Sequence, residues 1–382
     1  MLNINDNFEL GLTFDDVLLL PDYTDFTRDK IDLSTQLTRK IKLALPLISA
    51  PMDTVTESKM AISLGKLGGM GIIHRNLSIQ NQVKEVRKVK KENLLAGAAI
   101  GSTPGYEQRA KALVKAEVDV IVVDSAHGYC KFVIEATKFI KKNFPKIQVI
   151  AGNIATYESA QALIQAGADS LRVGMGPGSI CSTRIISGMG VPQMTAIMNT
   201  VKAAKMTKTP VIADGGIQSS GDVVKALAAG AQAVMMGSFF ASAIESPGRL
   251  ITLKKNQVPS RFQSILNGKT RNYQFKKYRG MGSIGAMQKG AKIKSEGEFH
   301  NQEYNHASLV AEGVEGLVPV KGTVEEMVEQ LIGGIRSGMY YTGAKSIPEL
   351  WQKARFMRIT SSSLKESHPH DVLVTDFGKN IF

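Results

Sequence analysis

Between residues 45 and 237 the chain repeats one pattern about eight times: a short apolar run, then a stretch with helical composition. The runs are Leu45–Ala50, Gly69–His74, Leu95–Gly101, Val118–Asp124, Val149–Asn153, Ser170–Gly174, Val211–Asp214 and Ala233–Gly237. Between them lie segments rich in Ala, Lys, Gln and Glu, among them Glu57–Leu67, Tyr106–Ala116, Phe132–Asn143 and Tyr157–Ala166. The runs are continuously apolar and do not alternate, which marks strands of a parallel sheet buried on both faces. Eight βα units of this kind predict a closed (β/α)8 TIM barrel. A doubly wound open sheet is the alternative, but it rarely needs so many near-regular units. Most runs close on a polar residue or glycine: Asp53, His74, Gly101, Asp124, Asn153, Gly174, Asp214 and Gly237. A barrel builds its site at those ends.

The rest of the chain flanks this repeat, and we read residues 1–382 as a single barrel domain. Residues 1–45 form an N-terminal extension, in which Leu12–Leu20 is a strand or an arm packed on the barrel. Residues 245–320 lack the βα rhythm. Their polar stretch predicts a mobile flap at about 288–308, near the face where the site is expected. Helical patterns return at Val324–Ser337 and Ile347–Arg355, and a tail follows from Ile359. No run of 18 apolar residues is present, so no membrane span is expected. The polar N-terminus does not read as a signal peptide. Two cysteines argue for a reducing, cytoplasmic setting over a disulfide scaffold. The formal charge of +13 raises nucleic acid as a partner, and residues 268–294 hold Lys and Arg but no Asp or Glu, with Tyr273, Phe275 and Tyr278 interleaved. A phosphate-bearing small substrate also favours basic surroundings, and dispersed lysines are mostly solvated surface. Dedicated nucleic-acid binding is therefore not the expectation.

The densest chemistry lies in Gly174-Met-Gly-Pro-Gly-Ser-Ile-Cys-Ser-Thr-Arg184. Alternating Gly174, Gly176 and Gly178 let the backbone turn and approach a ligand. Cys181 sits inside this turn, with Ser179, Ser182, Thr183 and Arg184 beside it. A lone cysteine is usually buried and inert. On a polar loop at the C-terminal end of a strand it is a candidate nucleophile.

This loop resembles the active-site loop of the inosine monophosphate (IMP) dehydrogenase and guanosine monophosphate (GMP) reductase superfamily. The resemblance runs through nearly the whole chain. It includes Thr13-Phe-Asp-Asp-Val-Leu-Leu-Leu20, Ile48-Ser-Ala-Pro-Met-Asp-Thr-Val55, Ala213-Asp-Gly-Gly-Ile217, Met236-Gly-Ser238, Tyr278-Arg-Gly-Met-Gly-Ser283 and Glu366-Ser-His-Pro-His-Asp371. It implies covalent catalysis, with Cys181 attacking C2 of a purine nucleotide. A dehydrogenase passes hydride from C2 to NAD and then hydrolyses the thioimidate to xanthosine monophosphate (XMP). A reductase releases ammonia from GMP and takes hydride from NADPH.

By the same resemblance Ser179, Gly216, Gly237, Ser238 and Tyr278 hold the 5′-phosphate, and Asp214 holds the ribose. Met52, Gly280, Met281 and Gly282 surround the purine. Asp124 and Ser125 take a dinucleotide ribose, with Asn153, Arg172 and Gly174 on the same face. Thr183 and Glu312 move protons near C2. Carbonyls of Gly176, Gly178 and Cys181 bind a potassium ion, completed by Glu366, Ser367 and His368 of a neighbouring subunit, which implies a homotetramer. His127 and Cys130 read as structural.

Two departures from the pattern matter. Dehydrogenases of this kind commonly carry a pair of cystathionine-β-synthase-type (CBS) modules after the second strand. Here Ile79–Lys91 runs almost directly into Leu94–Ile100, so the insert is absent near 91–94 and regulation through such modules is not expected. The family's flap normally carries Arg-Tyr, with the arginine activating water. This chain has no arginine between Arg279 and Arg336; counting forward from Met287 puts Lys294-Ser295 at those positions, and counting back from Leu309 puts Glu298-Phe299 there. Hydrolysis is the step this puts in question. The sequence favours IMP dehydrogenase, with GMP reductase or a catalytically silent nucleotide-binding paralogue as alternatives.

Overall fold

The computed structural model describes residues 9–259, 272–297 and 310–372, with the side chains of 294–297 excepted. Three short strands open the chain: β1 (Val17–Leu19), β2 (Thr35–Gln36) and β3 (Lys42–Leu43). The repeat then runs β4 (Leu47–Ser49), α1 (Ser58–Lys66), β5 (Met70–Ile73), α2 (Ile79–Lys91), β6 (Gly97–Ile100), α3 (Tyr106–Lys115), β7 (Val120–Asp124) and α4 (Lys131–Asn143). It continues through β8 (Gln148–Ile154), α5 (Tyr157–Gln165), β9 (Ser170–Val173), α6 (Thr183–Ser187), α7 (Gln193–Ala204), β10 (Val211–Asp214), α8 (Ser220–Ala228), β11 (Ala233–Met236) and α9 (Ser238–Ala241).

Strands β4 to β11 close into a parallel barrel in chain order, with β11 pairing back onto β4 through Val234–Leu47, Met235–Ile48 and Met236–Ser49. This is the (β/α)8 barrel expected from the eight runs. The reason is visible in the burial: β5, β6, β9 and β11 are buried at every position, so no polar alternation can develop. Ile48, Met70, Ile72, Ala99, Val120, Val122, Ile150, Ile212, Ala233 and Met235 form the inner core, with Leu37 and Leu43 of the β2–β3 hairpin packed against it. Residues 92–96 link α2 to β6 directly.

Outside the barrel the structure departs from the sequence reading. Leu12–Leu20 is not one continuous strand: Phe14–Asp16 is a 3-10 turn capped by Thr13, and only Val17–Leu19 is a strand. It pairs antiparallel with β15 (Phe356–Arg358), so the arm is tied to the C-terminal part of the chain. Residues 245–320 contain β12 (Leu250–Lys254), β13 (Asn272–Arg279), α10 (Ile284–Gly297) and β14 (Glu315–Pro319). These three strands form an antiparallel sheet with β13 in the middle. The polar stretch read as a flap from 288 begins inside helix α10, whereas 298–309 lies outside the described residues. Helices α11 (Val324–Tyr341) and α12 (Ile347–Lys353) follow. The first runs four residues beyond the expected Ser337, and the second stops short of Arg355 because Ala354 is extended. Helix α13 (Ser361–Glu366) begins the tail. No helix among the described residues is long and apolar enough to cross a membrane.

Candidate active site

The loop after β9 carries Cys181 exposed, at the C-terminal end of the barrel. Its conformation depends on glycine at one place in particular. Gly174 has φ of 151°, and a Cβ there would stand 2.0 Å from the Asp214 carbonyl oxygen. Only a residue without a side chain lets the loop leave the strand so close to its neighbour.

The segment before β14 crosses this loop. Ser182 N–H donates to the Glu312 carbonyl at 3.0 Å, Val314 N–H to the Ile180 carbonyl at 3.0 Å, and Glu312 N–H to the Gly282 carbonyl at 3.2 Å. Gly280 N–H donates to the Val314 carbonyl at 3.0 Å. Residues 180–182, 280–282 and 312–314 are thus laced together by backbone bonds. The side chains then fall in line. The Cys181 thiol lies 3.2 Å from Thr183 Oγ1, which donates to Glu312 Oε2 at 2.9 Å. A thiol, a hydroxyl and a carboxylate form one hydrogen-bonded chain, from residues 131 positions apart at its ends.

A second group forms where β10, β11 and β13 end. Burial holds the Tyr278 phenol well above its ordinary range, partly offset by its hydrogen bond with Ser179. It is a neutral donor at any physiological pH. A Cβ on Gly237 would stand 2.6 Å from the Tyr278 hydroxyl and 3.1 Å from Met52 Sδ, so the missing side chain lets both approach the backbone closely. Gly237 precedes Ser238, the first residue of α9. Gly216, with φ of 76°, packs beside Pro177 of the cysteine loop. The structure therefore brings together Met52, Ser179, Gly216, Gly237, Ser238 and Tyr278. Gly280, Met281 and Gly282 lie in the laced turn beside Glu312.

A third group centres on Arg172. Its Nε donates to Asp214 at 2.9 Å, and its Nη1 pairs with Asp124. Asn153 Nδ2 donates to the same Asp214 carboxylate at 2.7 Å and to the Gly174 carbonyl at 2.9 Å. Burial alone would raise the Asp124 carboxyl, but Arg172 and Arg75 outweigh it and hold it below the usual carboxylate range. Burial would likewise depress the Arg172 guanidinium, and its two carboxylates outweigh that and raise it. Ser125 sits in a turn, where its hydroxyl donates to the His127 carbonyl at 3.2 Å. His127 serves that turn, and Cys130 precedes α4.

The tail residues Glu366, Ser367 and His368 are exposed at the end of α13, and their recorded hydrogen bonds are local, such as His368 Nδ1 to the Leu364 carbonyl at 3.1 Å. This chain does not bring them to its own cysteine loop among the described contacts. The Gly178 carbonyl already accepts Cys181 N–H at 3.0 Å, which leaves its second lone pair for a cation. Among the described residues no cluster of His, Cys, Asp and Glu could hold a metal ion.

Sequence reading missed several supporting residues. Asp53 is buried and accepts from Arg279 Nε at 3.1 Å and Asn76 Nδ2 at 2.9 Å. Arg75 Nε donates to Asp124 at 3.3 Å. Gln193 Nε2 bridges the carbonyls of Val173 and Asp214, at 3.0 Å each, and so joins the ends of β9 and β10. The signal for Asp53 was its place at the end of a run; nothing local marked its partner 226 residues away.

A family model for the IMP dehydrogenase / GMP reductase domain matches residues 11–370. The chain is 44% identical over 412 residues to the inosine-5′-monophosphate dehydrogenase of Borreliella burgdorferi, covering 95% of this chain and 97% of that one. It is 43% identical over 409 residues to the enzyme of that name from Cryptosporidium parvum, covering 96% of each. Against the Aquifex aeolicus protein of the same name it is 39% identical, with 98% of each covered. That alignment spans 503 positions for a chain of 382 residues, so the longer protein holds segments that this chain lacks. On the extent of these matches, and with the cysteine loop assembled as described, the chain belongs to the IMP dehydrogenase / GMP reductase family.

Proposed function

We propose that this protein is an IMP dehydrogenase, oxidising IMP to XMP with NAD and water through a covalent bond to Cys181. The observation that carries this is the chain Cys181–Thr183–Glu312, at 3.2 and 2.9 Å, beside an open glycine loop. The thiol proton has a route through Thr183 to Glu312, which leaves a thiolate to attack purine C2. Tyr278, Ser179 and the turns at Gly216 and Gly237 receive the 5′-phosphate with neutral donors. Asp214, fixed by Arg172 and Asn153, accepts from the ribose hydroxyls. Met52 and the 280–282 turn place the base.

The donor set also suits a nicotinamide dinucleotide. Asp124 is held charged by two guanidiniums and stands beside Ser125, which fits a ribose diol. When bound, NAD supplies the acceptor for the hydride that leaves C2. The cofactor is not otherwise part of what the chain must do: Arg172 holds the carboxylates of both ribose positions in one frame. Glu312 passes the thiol proton on to solvent before hydrolysis; water then attacks C2 of the thioimidate, its proton passes by Thr183 to the regenerated Glu312 carboxylate, and the sulfur departs as thiolate. With no arginine between Arg279 and Arg336, we assign this step to the Thr183–Glu312 pair.

A potassium ion held by the carbonyls of Gly176, Gly178 and Cys181 would order the loop. Completion of its shell by Glu366, Ser367 and His368 of a neighbouring copy would make the working form a tetramer. The two free cysteines suit a reducing, cytoplasmic setting.

The test is nicotinamide absorbance in potassium buffer, with IMP plus NAD in one cuvette and GMP plus NADPH in another. Steady NADH from IMP, abolished in Cys181→Ser, is expected. A burst of one NADH per chain that stalls would remove the assignment of hydrolysis to Thr183 and Glu312. Consumption of NADPH with GMP, and nothing from IMP, would make the protein a reductase.

A further inference from the structure

On the opposite side of the barrel from Cys181 lies a cleft of about 880 Å³. Val211 helps form it and opens β10, the strand that Asp214 closes at the catalytic end, so the two sites sit at opposite ends of one strand. The cleft is bordered by the end of α7, the end of α8, the β2–β3 hairpin and α12. Its volume is that of a small-molecule site.

Its lining has two characters. One side is apolar: Val201, Ile347 and Trp351, of which Ile347 is fully buried and Trp351 is 38% exposed. The other is cationic: Lys42, Lys205 and Lys208, all exposed. Lys205 and Lys208 have no carboxylate partner among the described residues, whereas Lys42 lies in the field of Asp32. Asp32 is the one acid in the lining, and its oxygens are engaged by Ser34, both at 2.8 Å. Lys205 follows the last turn of α7 and partly serves to complement that helix end. This leaves Lys208 without a carboxylate partner among the described residues and part of Trp351 open to the cleft.

We propose that this cleft is a second ligand site that takes a planar aromatic anion, its ring against Trp351 and its acid group facing Lys205 and Lys208. Stacking on an indole face and two unpaired ammonium groups within one concave surface select a flat apolar body with a negative edge. A neutral apolar ligand would leave the cations unused, and a small inorganic anion would leave the apolar wall wet.

Trp351 is the sole tryptophan of the chain and reports on the cleft directly. The probe is 8-anilinonaphthalene-1-sulfonate, added to the 382-residue chain saturated with IMP so that the nucleotide site is filled. Saturable quenching of Trp351 emission is expected, at one probe per chain, with affinity falling at least about tenfold between 50 and 500 mM salt as charge is screened. Lys205→Glu with Lys208→Glu should weaken the probe by a similar factor while IMP turnover stays unchanged. Lys208→Gln carries the same comparison in milder form should the double variant fold poorly. Emission that ignores the probe, as when a second copy covers the cleft, overturns the proposal. Equal affinity in the lysine variants overturns it as well.

Discussion

At the scale of single residues, the site is a set of charges and donors whose partners were fixed before any ligand arrives. Thr183 is the clearest case: among the described residues it links the Cys181 thiol to the Glu312 carboxylate, at 3.2 and 2.9 Å. Thr183→Val keeps the shape and removes the hydroxyl, and Glu312→Gln keeps the shape and removes the base. Each should lower steady turnover by about 10²–10⁴-fold, the usual worth of a positioned acid or base. Rapid-mixing measurement of NADH, together with alkylation of Cys181 as a function of pH, separates slower hydrolysis from slower thiolate formation. Arg172 plays a different part, because it holds two carboxylates at once and is itself largely buried. Arg172→Gln leaves Asp124 and Asp214 without their main cation, a loss of about 3–5 kcal/mol when one partner of a buried pair is removed. Urea unfolding should show that loss, and KM should rise for IMP and NAD together. A rise for one substrate alone would contradict the shared frame.

At the scale of elements, the barrel strands were legible and the added sheet was not, and the cause is the same in both. Ser170–Val173 and Ala233–Met236 are buried at every position, so their apolar runs stand out. Strand β12 alternates exposed and half-buried residues, and β14 is mostly exposed. Within β13, Lys276 is buried with its ammonium donating to the carbonyls of Ile244 and Ser246, so even a core position reads as surface. The active-site loop was legible because its glycines, hydroxyls and cysteine are contiguous. The clamp that fixes β13 to the barrel was not, because Arg279 and Asp53 meet only in three dimensions. That clamp has a pH signature. Burial would raise the Asp53 carboxyl, but the hydrogen bonds and charge of Arg279, with Asn76, outweigh it and hold it low. Its contribution to stability is therefore complete above the unfolded value of about 4 and is lost as pH falls through the lower folded value. The urea midpoint of Asp53→Asn should lie well below that of the parent chain at pH 7, with the gap closing in acid below about pH 4. A gap of constant size down to pH 2.5 would mean that Asp53 is not held as an anion by Arg279.

At the scale of the whole molecule, the two ends of the chain are fastened to each other before the tail departs. Val17–Leu19 pairs with Phe356–Arg358, and Ile359 N–H donates to the Asp16 carbonyl at 2.9 Å. Phe14, in the turn just before Val17, is buried, and its carbonyl accepts from Lys225 of α8. This fastening belongs to the fold, and it ends just before Thr360. From Ser361 to Val372 the described residues are exposed apart from half-buried Ser363 and Leu364, and the hydrogen bonds of Ser367 and His368 stay within the tail. A segment whose polar tip, Glu366 to His368, stays exposed on its own chain is open to serve another, which is what a shared potassium site would require. A chain ended after Ile359 keeps the β1–β15 pair and should therefore unfold at nearly the same temperature as the full chain. If Glu366, Ser367 and His368 complete the ion's shell in a neighbouring copy, that truncated chain should make NADH from IMP at the rate the full chain shows in potassium-free buffer. Restoring potassium should then change nothing, and light scattering should show a mass below that of the tetramer. Full potassium activation in the truncated chain would place the ion, and the contact between subunits, somewhere other than the tail.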